Sequence, residues 1–265
     1  MGRRRLDAEL VRRGLAGSRA EAQEAVRAGH VMVRGAPATK STTLVGADEA
    51  LALAGPARRF VSRGGEKLAA ALDAFAIDTT GRDCLDAGAS TGGFTDCLLQ
   101  RGARHVVALD VGYGQLAWEV RTDPRVTVME KTNVRELQAD LLPYRPSLVT
   151  ADLSFISLRL AAAALILVTD PLADLVLLIK PQFEAERGQV GRAGVVRDPA
   201  VWRRSIEGVV EATRAAGAPS HGLIVSPLKG PAGNAEFLLH SRTGAEAGTL
   251  DIDGAIETAG ELGTS

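Results

Sequence analysis

Short apolar runs alternate with helical stretches over most of this chain. EKLAAALDAF, FTDCLLQRG and the stretches around GQLAWEVR, LRLAAAALILV and AVWRRSIEGVVEATRAAG read as helices. Between them lie DCLDAG, HVVALDV, VTVMEKTN, PSLVTADLSF and DLVLLIKPQF, which read as strands, and HGLIVSP and AEFLLHSR close the series. Strands joined through helices cannot form hairpins. They form a mostly parallel, doubly wound α/β sheet with helices on both faces. Ligands of such sheets sit at the carboxyl ends of the strands, near the point where strand order reverses.

The first of those ends carries LDAGASTGGFTD, with Gly88, Gly92 and Gly93 within six residues. Glycines after a strand let a ligand approach the backbone closely. A phosphate-binding P-loop needs Gly-Lys after four intervening residues, but Phe94 stands where the lysine belongs. A dinucleotide loop needs Gly-x-Gly-x-x-Gly, but Ser90 takes the place of the middle glycine. Asp86 just ahead would repel a pyrophosphate and suit a cation. S-adenosyl-L-methionine, with an ammonium, a sulfonium and no phosphate, fits that pattern. Asp110 ends the next strand, where an acid can hold ribose hydroxyls, and Val111 follows it. A purely structural glycine turn is the alternative. Asn133, after the third strand, is a candidate adenine contact, and Trp118 reads as packing.

Charge divides the chain. Residues 1–63 hold twelve Lys and Arg against six Asp and Glu, while the remainder is acidic and the whole sums to -1. A basic module on an acidic body points to an anionic partner, nucleic acid first, with a solvated basic face as the alternative. Within the module, Leu6, Leu10 and Val11 mark a helix ended by Gly14. Ser18 and Glu21 form a capping box for a second helix ended by Gly29. HVMVRG and EALALAG read as strands. Arg3, Arg4, Arg5, Arg12, Arg13, Arg19 and Arg27 crowd this segment, with Lys40 beyond.

Other classes are disfavoured. The longest apolar run, LAAAALILV, is far short of the ~20 residues that span a bilayer. MGRRRLDAEL has no apolar signal core. Cys84 and Cys97 lack metal-ligand spacing and read as buried thiols of a cytoplasmic protein, so no metal is expected.

Four polar groups stand out as candidate catalysts: Asp152 and Lys180 at strand ends, Glu236 near the start of the last strand, and Lys67 in the helix before the first. Each alone could be an ordinary strand-closing or solvated residue. Two lysines and two acids together, with two of them on neighbouring strand ends, suggest proton-transfer chemistry. Phe155, just past Asp152, is placed either to stack on a base or to pack in the core.

Several motifs carry a family resemblance. RLD, GL, SR and the glycines and valines through Gly35 resemble the RNA-binding domain named after ribosomal protein S4, which implies recognition of structured RNA through phosphate and shape. SRGGEKL, CLDAGASTGGFTD, DVGYGQLAW, ADLSFISL, KPQFE, GVVRDP and SPLKGPAGNAEF resemble the TlyA family of ribosomal RNA methyltransferases, historically labelled haemolysins. That resemblance implies a Rossmann-like, FtsJ-type domain at 64–265, an RNA-binding domain at 1–57 and a linker at 58–63. It also implies 2′-O-methylation of cytidine ribose in small- and probably large-subunit ribosomal RNA, with a Lys67, Asp152, Lys180, Glu236 set. Ribosomal subunits are the implied partners, and no membrane is. An inactive RNA-binding protein is the alternative, and a membrane-active haemolysin a weaker one. The family linker Arg-Ala-Trp-Val is here Arg58-Arg59-Phe60-Val61.

Overall fold

The computed structural model describes residues 3–17, 19–54, 59–191 and 193–262. The chain divides into two compact units, Met1–Arg58 and Arg59–Ser265. The capping box at Ser18 lies outside the described residues.

In the first unit, α1 (Leu6–Arg12) and α2 (Arg19–Arg27) pack over small sheets. One sheet pairs β1 (Arg4–Arg5) with β4 (Leu44–Val45); the other has the order β3 (Ala36–Pro37), β2 (Val31–Val33), β5 (Leu51–Leu53), all antiparallel. Leu6, Leu10, Ala22, Val26, Val31 and Val45 form the core. Beneath the basic surface lie two buried acids, Asp7 and Glu9. Arg5, Arg19 and Gln23 converge on Asp7, and Arg12 and Arg13 on Glu9. The guanidinium of Arg5 in the first place holds the Asp7 carboxyl well below the usual carboxylate range, and that of Arg12 does the same for Glu9.

The second unit has α3 (Gly64–Ala74), then β6 (Asp83–Ala87), α4 (Gly93–Gln100), β7 (His105–Leu109), α5 (Trp118–Arg121) and β8 (Val126–Met129). The chain then returns through β9 (Leu148–Ala151), α6 (Leu158–Leu167), β10 (Asp174–Ile179), α7 (Pro181–Glu184), α8 (Pro199–Ala215), β11 (Ser220–Val225), β12 (Phe237–Arg242) and α9 (Ile252–Glu261). The seven strands run in the order β11-β12-β10-β9-β6-β7-β8. Only β12 is antiparallel to its neighbours. Two apolar layers flank the sheet, one around Val107, Leu165 and Ile206, the other around Leu72, Phe94 and Leu98. The alternation in the sequence foresaw all seven strands. The helix expected around GQLAWEVR is only four residues long, and the segment before it is bent rather than helical, with Gly114 at φ +68.

Chain order reverses between β6 and β9, which are neighbours. The switch point therefore falls beside the glycine loop. The second unit begins at Arg59. Phe60 is buried in the second unit's core, Arg59 lies over its ring at 4.8 Å, and Val61 donates to Asp96 at 2.8 Å. Gly65 is obligatory there, because a Cβ would sit 2.3 Å from the Phe60 ring. Among the described residues, no helix is long and apolar enough to cross a membrane.

Candidate active site

Three strand ends and helix α3 bring the candidate residues together. Asp152 follows β9 and Lys180 follows β10, adjacent and parallel. Because β12 is antiparallel to β10, with Phe237 opposite Ile179, its leading residue Glu236 lies at that same end. Lys180 Nζ lies 2.5 Å from Asp152 Oδ1 and donates to Ser154 Oγ at 2.9 Å. On α3, Lys67 donates to Glu236 Oε2 at 2.5 Å, and both side chains are buried. Burial pushes the Glu236 carboxyl up, against the opposing pull of Lys67. Its second oxygen has no partner among the described residues and would meet a Cβ on Gly230 at 2.5 Å.

The glycine loop is built mainly for packing. Gly88 and Gly92 have positive φ. A Cβ on Gly88 would lie 2.6 Å from the Asp152 carbonyl, one on Gly92 against Leu116 and Val120, and one on Gly93 2.1 Å from Ser62 Oγ. The glycines thus let the loop close onto neighbouring protein, including the backbone of Asp152 itself. Asp110 fixes the loop from the other side: its carboxylate accepts from Ser90 N at 2.7 Å and Gly112 N at 2.6 Å. Between these parts lies a recess whose walls include Ala108, Leu116 and Val128 and whose polar rim includes Ser90, Asp110 and Glu130. Apolar walls suit a flat ring, and an acidic rim suits hydroxyls and positive charge, which matches the chemistry of an adenosyl sulfonium.

Several sequence expectations change. Asp86 is fully buried and does not line the recess; its oxygens accept from Thr95 Oγ1 at 2.6 Å and Thr150 Oγ1 at 3.2 Å, and burial pushes its carboxyl up to about 7. Phe94 is core rather than ligand contact, because it lies on the inward face of α4. Asn133 caps its own turn through Arg135 N and reaches Glu136, not the recess. Trp118 is 74% exposed, and so is Val111, so neither is packing material. Phe155 is 91% exposed with φ +64, which excludes core packing and holds a bulky residue in a left-handed conformation. Such backbone costs on the order of 1–3 kcal/mol and clusters at functional sites. The sequence reading missed Gln115 and Glu130, which sit in loops without periodicity.

In the first unit, Arg13 is a fastener rather than a free cation. It pairs with Glu9 and donates to the carbonyls of Gly46, Ala47 and Glu49. Arg3, Arg5, Arg12 and Arg19 pair with acids yet keep about half of their side chains in solvent. Arg4 and Lys40 are exposed.

A seven-stranded, mostly parallel sheet with an acid-rimmed recess at its switch point defines a Rossmann-like S-adenosylmethionine-dependent methyltransferase, here joined to an RNA-binding module. The FtsJ-like methyltransferase family matches residues 60–243, and the S4 domain matches residues 4–50. A Mycobacterium tuberculosis 16S/23S rRNA (cytidine-2′-O)-methyltransferase TlyA is 54% identical over 91% of this chain and 90% of its own. A Streptococcus thermophilus structure named as a hemolysin is 37% identical, with a TM-score of 0.80, covering 99% of this chain and 97% of that one. A Lactococcus lactis structure, also named as a hemolysin, is 46% identical with a TM-score of 0.73, over 76% of this chain and 98% of that one. The chain belongs to the TlyA family of FtsJ-like methyltransferases.

Proposed function

We propose that this protein transfers a methyl group from S-adenosylmethionine to the 2′-hydroxyl of a cytidine in ribosomal RNA, in the small and large subunits. The observation that carries this reading is the pair of ion pairs, Lys180–Asp152 and Lys67–Glu236, at strand ends beside the recess. A 2′-hydroxyl is a poor nucleophile until its proton is drawn away. Lys180 stands at the mouth as the base, steered by Asp152 and Ser154. Lys67 and Glu236, one layer deeper, set the charge beneath it. Gly88, Ser90, Gly92, Gly93, Asp110 and Val111 shape the cofactor side, with Asp86 acting from below. A bound sulfonium supplies an already activated methyl. The chain's own work is to align the hydroxyl, exclude water and accept the proton.

Phe155, projecting beside Lys180, offers a face on which the target base can stack. The exposed arginines of the first unit and Lys40 bind backbone phosphates. This reading places the protein with ribosomal subunits in the cytoplasm. Mapping ribose methyls on ribosomal RNA, from cells with and without the protein, tests it. A cytidine 2′-O-methyl that disappears with the protein supports the reading, and an unchanged map refutes it.

A further inference from the structure

The segment that bears Asp152, Ser154 and Phe155 runs from β9 into α6, and the segment that bears Lys180 runs from β10 into α7. Three links join them in sequence. Lys180 Nζ holds Asp152 and Ser154. The Phe155 and Phe183 rings lie 5.3 Å apart. Last, Glu184 reaches across to the start of α6. Its Oε1 accepts from Leu158 N at 2.7 Å, and its Oε2 accepts from Ser157 Oγ at 2.5 Å and Arg159 Nε at 3.2 Å. Arg159 Nη2 also donates to the Glu184 carbonyl at 3.0 Å.

The Glu184 side chain is almost wholly buried, so it does not face substrate. One of its partners, Leu158 N, is a backbone donor that a helix start otherwise leaves unpaired; the other two are the side chains of Ser157 and Arg159. It fastens the loop two to three residues beyond Phe155, whose φ of +64 the isolated chain would not choose. A strained conformation persists only where its surroundings over-determine it. The first link alone, to a flexible lysine, cannot do that. A buried carboxylate with three donors can.

We infer that Glu184 is a positioning residue: by clamping Ser157 and Leu158 it holds the Ser154–Phe155 turn in register with Lys180, so that base, serine and exposed ring face one substrate. What is positioned rests on the ribose-methylation reading; the clamp itself does not. Glu184→Ala frees the loop and leaves the recess untouched. Affinity for S-adenosylmethionine, measured by calorimetry, stays at the wild-type value while kcat falls about tenfold or more, the scale of a small misplacement near the chemistry. Glu184→Gln keeps an acceptor for Leu158 and restores kcat to within about threefold.

A second readout needs no activity. The full chain carrying fluorophenylalanine has six fluorine sites, and Phe155→Leu identifies the one at 155. In Glu184→Ala that resonance splits or shifts; in Glu184→Gln it returns. An unchanged resonance, a kcat within about twofold of wild type, or a Gln variant as impaired as Ala overturns the proposal. If Glu184→Ala does not fold, Ser157→Ala removes one tether. It moves the resonance and lowers kcat about threefold, or the proposal fails. If the wild-type chain transfers no methyl to ribosomal RNA, the functional reading falls, and the fluorine measurement still decides the role of Glu184.

Discussion

Lys180 meets an acid on one side and a hydroxyl on the other, and the proposed ribose methylation asks it to give up a proton before it takes one. Arginine keeps the charge and never does so, since its pKa lies above about 12. Lys180→Arg is therefore expected to fold and to bind cofactor and RNA. It should transfer methyl at less than about one hundredth of the wild-type rate, in line with the loss of a general base. Single-turnover transfer of labelled methyl measures this. A rate above about a tenth of wild type makes Lys180 a fixed charge and moves the base elsewhere. Asp86 makes a different prediction. Its folded pKa of about 7 lies above the ordinary 3.8, so the folded state holds its proton more tightly. The stability it contributes is full below about pH 4 and is lost as pH rises through about 7. Relative to Asp86→Asn, the wild-type melting temperature should fall across that window and then level. The ceiling is on the order of 4 kcal/mol, at about 1.36 per pKa unit. A difference that is flat in pH would show that Asp86 is not a buried acid in solution.

Elements turned side chains in directions that motif spacing could not reveal. Asp152, Lys180 and Glu236 were legible because each closes or opens a strand, and strand ends in a parallel sheet share one edge; Lys67 stood out only as a lysine in the helix before the first strand. Phe94 and Asp86 were misplaced because both lie within or beside a glycine-rich segment. Adjacency there says nothing about which side chains point up to the recess and which point down into the core. Trp118 was misread because an aromatic normally packs, yet α5 is one turn long and leaves it outside. The last helix, α9, went unread although Ile252, Ala255, Ile256 and Ala259 keep helical spacing and Asp251 caps it through Gly254 N. Glu184 was visible only as a letter in a motif, since its partners are backbone and side-chain groups more than 20 residues away. The clearest element-level test is Gly88. Alanine there needs a positive φ and collides with the Asp152 carbonyl. Gly88→Ala should lower the melting temperature and reduce both cofactor affinity and methyl transfer. An intact site in that variant would mean that the strand ends can separate without harm.

At the scale of the whole molecule, charge sorts the arginines into two kinds. Arg13 is occupied by Glu9 and three carbonyls, whereas Arg4 and Lys40 stand in solvent. Binding of the full chain to ribosomal RNA should weaken steeply with salt. Replacing Arg4 and Lys40 with alanine should flatten the log–log salt slope by about one for each phosphate that is no longer neutralised. Arg13→Ala should leave that slope alone and lower the stability of the first unit. The reverse pattern would exchange their roles.

The buried pair of Lys67 and Glu236 joins positions 169 residues apart. During synthesis the N-terminal unit and the strands up to β11 precede Glu236 out of the ribosome. Lys67 emerges early and waits for its acid until β12 slots between two strands already made. An unfinished chain already holds its S4 domain while still lacking the completed Lys67–Glu236 pair.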